Sequence, residues 1–325
     1  MEGGVKQVVV VGLWLVLGLG MAAAYTEFEA GLIGSSQQLA QLEGQVSSAE
    51  KRLQVLEQDP YAAPLEREEA AASLARVRIQ LGRQRLALRQ EAYRLWTEVL
   101  NGRVRLEAAR AAAKVAELRL RAARVRAEKG AASPLELDAA GRAYERAALQ
   151  LEQARAALDS ARQALAARSE VDPDAVPEVV PPEALDVERH PDLQQARLDV
   201  QAAERAVLAA SGPDTARLEK EKRAAELRAA RERAERLRER LRRELESLQA
   251  QYARQQRLVG LARDAVADAQ KKLEAQRLRL EQGLASELDV LSAEQELAQA
   301  RADRLSAQVE LGRLALELWA YAEAP

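Results

Sequence analysis

The chain has 325 residues, of which 48% are hydrophobic but only 3% aromatic, with a single phenylalanine. Alanine and leucine carry that hydrophobic share, so the side chains that fill a large compact core are missing; Ala, Leu, Glu, Arg and Gln instead predict long helices and coiled coils. The 49 basic and 51 acidic side chains are interspersed and nearly cancel, which removes any net pull toward nucleic acid or anionic lipid.

At the N-terminus, Lys6 precedes an apolar run from Val8 to Ala24 that ends in Ala22-Ala23-Ala24 before Tyr25. A basic start, an apolar core and a small-residue site predict a secretory signal peptide over residues 1–24, cleaved after Ala24. The alternative is an uncleaved membrane anchor, although the run falls short of the ~20 apolar residues a spanning helix prefers. Either way the rest of the chain is expected outside the cytoplasm.

Proline breaks helices, so the ten prolines outline the elements that follow. Pro60 and Pro64 lie in the turn Gln58-Asp-Pro-Tyr-Ala-Ala-Pro64, Pro134 in Gly130-Ala-Ala-Ser133-Pro-Leu135-Glu136, and Pro213 in Ser211-Gly-Pro-Asp214. Pro173, Pro177, Pro181, Pro182 and Pro191 all fall in one linker, Val171 to Pro191. The helices predicted between them are Tyr25–Glu57, Glu66–Lys129, Pro134–Ser169, Asp192–Ala210, Thr215–Gln282 and Ser286–Tyr321. The alternating run Leu74 to Leu81 reads as helix inside the second of these. Asp192 and Thr215 are candidate N-caps. Ser133 and Ser286 are others, each with an acid three residues on, Glu136 and Asp289; the first pair resembles a capping box. Gly130 and Gly283 suit the left-handed position that ends a helix.

The chain repeats itself. Gly130 through Glu136 recurs as Gly283-Leu-Ala-Ser286-Glu-Leu288-Asp289, an offset of 153 residues, and Ala140, Ala147 and Ala154 map onto Ala293, Ala300 and Ala307. Upstream, Leu39, Val46, Ala49 and Glu50 align with Leu193, Val200, Ala203 and Glu204 at an offset of 154. Internal repetition of this length predicts a repeat architecture: residues 25–170 as a first helical repeat, 171–191 as a Pro-rich linker and 192–325 as a second repeat. In each half one long helix, roughly 100 Å at about 1.5 Å per residue, is flanked by two shorter ones able to run antiparallel beside it. Heptad stripes support this: Tyr144, Leu151, Leu158 and Leu165 form one, and Ala140, Ala147, Ala154 and Ala161 its neighbour. Alanine leaves little area to bury at about 25 cal/mol per Å², so further assembly is expected. Between Ala216 and Glu246 pairs such as Glu232/Arg236 and Glu239/Arg243 read as a solvated helix.

No enzyme is visible. His190 is the only histidine and there is no cysteine, so neither a usual zinc site nor a nucleophilic triad can be assembled. There is no Gly-rich phosphate loop, and the carboxylates are spread along helices among bases. Catalytic, cofactor-binding and metal residues are therefore expected to be none. Trp96 and Trp319 read as packing residues within helices.

In this order the elements resemble the TolC-type outer-membrane efflux channels. Tyr25-Thr-Glu-Phe-Glu-Ala30 with Leu39, Val46, Ala49 and Glu50 is similar to that family's first helix, and Gly130-Ala-Ala-Ser133 to its first periplasmic turn. The linker into Pro191-Asp192-Leu193 resembles the join between its halves, and Gly283-Leu-Ala-Ser286-Glu-Leu-Asp289-Val-Leu-Ser-Ala293 its second turn. The resemblance implies an all-α fold of long antiparallel coiled-coil helices in two tandem repeats, a helical barrel built by a homotrimer. In the family, β-barrel strands are inserted between a short and the long helix of each half. Here those places hold only Gln58–Leu65 and Ser211–Asp214, too short for pairs of spanning strands of about 9–11 residues each. The resemblance therefore supports the helical tunnel without the transmembrane β-barrel. It implies that Gly130, Ser133, Gly283 and Ser286 form the tunnel tip contacted by a periplasmic adaptor, and that Glu136 and Asp289 are aperture acids. Ser292 replaces the second acid of that ring, and Leu280 and Ala285 stand where a tyrosine and an arginine lock the closed state in the family. A capping role for Glu136 and Asp289 remains the alternative, and one role does not exclude the other.

The expected function is a passive periplasmic conduit in the cell envelope, outer-membrane associated, working with an inner-membrane transporter and its adaptor. The alternative is an envelope-spanning or tethering coiled coil with no channel. An adaptor-like hairpin protein is a third reading, but no β-rich segment flanks the helices.

Overall fold

The computed structural model describes residues 24–212 and 215–322. The expected signal peptide lies outside them, apart from Ala24. Among the described residues there are seven α-helices, two short 3-10 turns and no strand. We number the helices α1 (24–34), α2 (Gln37–Gln58), α3 (Pro64–Glu128), α4 (Pro134–Ala166), α5 (Pro191–Ala209), α6 (Arg217–Glu281) and α7 (Glu287–Leu318). The fold is all-α, with the long and short helices in the order the proline map predicts, and the alternating run Leu74 to Leu81 is helical within α3.

Three helix starts differ from expectation. The single helix predicted over Tyr25–Glu57 is two helices. Ser36 is extended (φ −75°, ψ 107°) and its hydroxyl accepts from the Leu39 amide at 3.3 Å, while the Ser35 hydroxyl donates to the Leu32 carbonyl at 3.2 Å. Two serines thus offer the backbone local partners in place of the helical ladder. At α5 the cap is His190, not Asp192: its Nδ1 accepts from the Asp192 amide at 3.2 Å, with Pro191 as the first helical residue. Proline suits that position because the amide it lacks would have been unpaired there. At α6 the Ala216 carbonyl accepts from the Glu219 and Lys220 amides at 3.0 and 3.2 Å. The cap position therefore falls on alanine, one residue past Thr215.

The helices pack as two compact units. One holds 24–28, Ala92–Glu178 and Ala253–Gly312; the other holds Glu29–Glu91, Val179–Tyr252 and 313–322. Each unit draws on both sequence repeats. In the first unit Tyr25 meets Trp96 edge-on with centroids 5.5 Å apart, and Phe28 lies 5.7 Å from the same indole. Close by, the Tyr93 hydroxyl donates to the Val309 carbonyl at 3.1 Å, and a Cβ added at Gly312 would sit 2.1 Å from that hydroxyl. Val266 and Leu273 of α6 pack on Val290, Ala293 and Leu297 of α7. Along α4 the two heptad stripes are the sheltered face: Ala147, Leu158 and Leu165 are buried, and Ala140, Tyr144, Leu151, Ala154 and Ala161 are half-buried.

In the second unit Leu193 of α5, Leu241 and Leu245 of α6, Leu318 and Tyr321 form the core. Ala72 and Ile79 of α3 pack on Leu198 of α5. Ion pairs flank these contacts, including Arg78–Glu50 at 2.8 Å, Arg85–Glu43 at 3.1 Å and Arg83–Asp192 at 2.6 Å. The charged stretch of α6 carries pairs of the expected kind: Glu232 meets Arg236 at 3.5 Å, whereas Arg243 donates to the Glu239 carbonyl instead of its carboxylate. Exposed pairs of this sort contribute about 0.3–0.5 kcal/mol each.

The linker is held inside both units. In the first, the Trp96 indole N–H donates to the Ala175 carbonyl at 2.8 Å, Arg103 binds Asp172 and the Pro173 carbonyl, and Pro173 is fully buried. In the second, the Trp319 indole donates to the Val180 carbonyl at 3.2 Å and the Asp186 amide to the Tyr321 carbonyl at 2.8 Å.

Candidate functional site

The α3–α4 and α6–α7 turns carry every residue singled out as tip or aperture, and both belong to the first unit. A helix end leaves four carbonyls unpaired and the next helix start leaves four amides unpaired. The sequence resolves both ends within a few residues. At the first turn Gly130 adopts φ +71°. The Ala131 amide then reaches back to the Arg126 carbonyl at 2.7 Å and the Gly130 amide to the Ala127 carbonyl at 2.9 Å. This nested pair is a Schellman closure, which needs a residue free to take positive φ. Three residues later the chain caps the next helix. The Ser133 hydroxyl accepts from the Glu136 amide at 3.2 Å, and the Glu136 carboxylate accepts from the Ser133 amide at 3.0 Å. Pro134 fills the first helical position.

The second turn repeats this bond for bond. Gly283 sits at φ +72°. Leu284 donates to the Arg279 carbonyl at 2.7 Å and Gly283 to the Leu280 carbonyl at 2.9 Å. The Ser286 hydroxyl accepts from the Asp289 amide at 3.2 Å, while the Asp289 carboxylate accepts from the Ser286 amide at 2.8 Å. Because aspartate is shorter than glutamate, the Ser286 hydroxyl can also donate directly to it, at 2.7 Å. The capping box read at Ser133 and Glu136 is therefore present in both copies.

The α7 cap also bears on the charge of its acid. Hydrogen bonds from the Ser286 hydroxyl and then its amide hold the Asp289 carboxyl below the usual carboxylate range. It therefore stays ionised in mild acid. Both acids are exposed, so capping does not withdraw their charge from solvent. One feature lacked any sequence signal: the turns display large apolar side chains, Leu135 at 71% exposure and Leu284 at 74%. Nothing in the pattern distinguished these leucines from seam residues.

In the second unit a groove of about 800 Å³ runs among α2, α3, α5 and the C-terminal turn, with Leu53, Leu74, Ile79, Leu86 and Leu198 as its apolar lining. Arg89 closes one side, its guanidinium 5.6 Å from the Trp319 ring centroid. Among the described residues no cluster of acids or histidines is placed to hold a metal, and no helix is long and apolar enough to cross a membrane.

No protein-family model matches the sequence, and no curated protein is recognisably similar to it. Solved structures are similar to it in fold. The outer membrane protein VceC of Vibrio cholerae aligns at TM-score 0.63 and 15% identity, over 91% of this chain and 95% of that one. The outer-membrane channel OprN aligns at TM-score 0.62 and 14% identity, over 93% and 90%. The CmeC outer membrane channel of Campylobacter jejuni aligns at TM-score 0.58 and 11% identity, over 92% and 85%. With its doubled hairpin, proline-rich crossover and helices of alternating length, the chain has the fold of the TolC-type outer-membrane channels, made among its described residues by helices alone.

Proposed function

We propose that the protein is an export component of the cell envelope whose helices, in a homotrimer, enclose a periplasmic conduit. It moves nothing actively; an inner-membrane transporter supplies energy and substrate choice, and a periplasmic adaptor joins the two. The observation that carries this reading is the pair of bond-for-bond equivalent turns in a chain with the fold of outer-membrane channels. Such turns present a fixed, repeated surface, and Gly130, Ser133, Gly283 and Ser286 with the exposed Leu135 and Leu284 are its adaptor-contact face. Glu136 and Asp289 are then both caps and aperture acids, since capping leaves both carboxylates exposed to solvent and the bonds that cap α7 favour the ionised form of Asp289. The apolar groove in the second unit offers a neighbouring copy a surface to cover.

The test is the mass of the purified protein in solution, combined with electron microscopy of the particles. A trimer with a hollow ring of helices supports the conduit. A stable monomer or a solid bundle removes it and leaves the tethering coiled coil. Asp289→Asn refines the test, because asparagine retains an acceptor for the Ser286 amide while deleting the charge. A change in cation conductance or export beyond a small loss of helix stability is expected; a loss of stability alone would reduce Asp289 to a cap.

A further inference from the structure

The groove of the second unit owes its room to one stripe of α3. Ala71, Ala75, Arg78, Gly82, Arg85 and Arg89 follow one another at steps of four and three residues, so they share a face, and all of them line the groove. Ala71, Ala75 and Gly82 leave open the space that larger residues would fill. The resulting volume of about 800 Å³ is that of a small-molecule site. Its charged lining is of one sign. Arg189, just ahead of α5, and Arg197 of α5 join the three arginines of α3, and among the described lining residues there is no acid. The acids that pair with these bases stand outside the lining: Glu50 lies 2.8 Å from Arg78, Glu43 3.1 Å from Arg85 and Glu29 3.0 Å from Arg89, and Glu188 meets Arg197. One carboxylate does not exhaust the five N–H donors of a guanidinium. The Arg78 and Arg197 side chains remain 59% and 49% exposed, open to a further acceptor. An uncharged apolar occupant would cover guanidiniums without supplying an acceptor, which costs free energy, and a cation would be repelled.

We propose that this groove binds a single-chain alkyl anion of the fatty-acid class, its chain along the small residues of α3 and its carboxylate among Arg85, Arg89 and Arg189. The two ends of the groove set that orientation. Arg83 of α3 meets Asp192 at the start of α5 at 2.6 Å, which brings Arg189 to the end where Arg85 and Arg89 stand. The Arg89 guanidinium lies over the Trp319 ring there. Ala71 and Ala75 mark the other end, where the neighbouring Ala72 packs on Leu198. From Ala75 to Arg85 the helix rises about 15 Å, which suits a medium-length chain. Bidentate guanidinium–carboxylate bonds would fix the head, and burial of the chain would add affinity without direction. The groove lies within one unit of a single chain, so this binding does not depend on the conduit reading and survives its failure.

The test is calorimetric titration of the full chain with sodium laurate below its micellar concentration. Dodecyltrimethylammonium and dodecyl maltoside serve as the cationic and uncharged counterparts of the same chain. The parent should take up laurate saturably and prefer it to the cation by roughly tenfold or more. Arg85→Gln combined with Arg89→Gln should weaken laurate by roughly tenfold and erase that preference, leaving dodecyl maltoside unaffected. Ala75→Leu keeps every arginine but fills the stripe, and should weaken all three amphiphiles alike. Circular dichroism checks that each variant folds, and the two act by different routes, so misfolding would not reproduce both patterns. Equal affinity of the parent for anion and cation would overturn the proposal. Laurate binding that neither variant changes would do the same, by placing the site elsewhere. A fall in solution mass as laurate saturates would overturn it in favour of a neighbouring copy as the occupant of the groove.

Discussion

The two turns of the first unit are copies of one another; the two turns of the second are not. At Gly130 and Gly283 the same amides meet the same carbonyls, and the same serine–acid exchange follows three residues on. At the α2–α3 and α5–α6 turns, by contrast, one is built on the Asp59 side chain just ahead of Pro60 and Pro64 and the other on the Ser211 hydroxyl donating to the Leu208 carbonyl at 2.6 Å. The difference has a backbone cause. Gly130 and Gly283 are the only described residues with positive φ, and a closure that needs left-handed geometry admits few sequences. Turns that avoid it admit more sequences. The units also differ inside: the first is centred on aromatic rings around Trp96, the second on leucines closed by Tyr321.

The largest expected effect tests that contrast of cores. Trp96 is fully buried, touches two further rings and holds the linker carbonyl of Ala175. Trp96→Ala should cost about 3–5 kcal/mol in urea unfolding. Trp319 is only half-buried and makes the corresponding linker bond at a longer distance. Trp319→Ala should therefore cost less. Equal losses would mean that the second unit depends on its linker anchor as strongly as the first.

Next comes the backbone of the turns. Gly130→Val and Gly283→Val each force a β-branched residue to φ near +70°, and each should cost roughly 1–2 kcal/mol. Gly212→Ala, at a turn without positive φ, should stay within about 0.5 kcal/mol. Unequal costs at Gly130 and Gly283 would break the equivalence of the two repeated turns. Smaller again are the caps. Ser133→Ala and Ser286→Ala should each lose about 1 kcal/mol by thermal or urea melting, with Ser286 the more costly because its hydroxyl both donates to and accepts from the Asp289 unit.

Much of this was legible because it is local. Glycine followed three residues later by serine, and three further on by an acid, encodes a helix stop and a helix start in one heptapeptide, and both copies fold that way. The all-α class and the sheltered stripes of α4 followed from composition and a seven-residue period. What escaped detection acts at a distance or competes closely. Nothing near Trp96 announces that its indole will reach Ala175, because the linker has no period and its path is fixed by partners far away in sequence. The break between α1 and α2 turned on whether Ser35 and Ser36 would bond locally or continue the ladder, a contest decided by small differences. At α5 the cap passed to His190 because Pro191 starts the helix, so the position before it had to supply the acceptor.

That last cap gives the smallest and most specific effect. His190 can accept from the Asp192 amide only while its Nδ1 carries no proton, and its ring lies 4.8 Å from that of Tyr321. Burial lowers its pKa from the usual histidine value; Arg83 and Arg240 push the same way, against the opposing pull of Asp192 and Glu244. A base whose pKa is lower in the folded chain binds fewer protons there than when unfolded. Its contribution to stability is thus complete above the unfolded value of about 6.5 and is lost as pH falls from there through the folded one. Urea midpoints measured between pH 7.5 and 5 should decline more steeply for the parent than for His190→Asn, which supplies a side-chain oxygen that caps without titrating. Parallel declines would assign the acid sensitivity to carboxylates elsewhere, and leave the second unit with a cap that does not respond to pH.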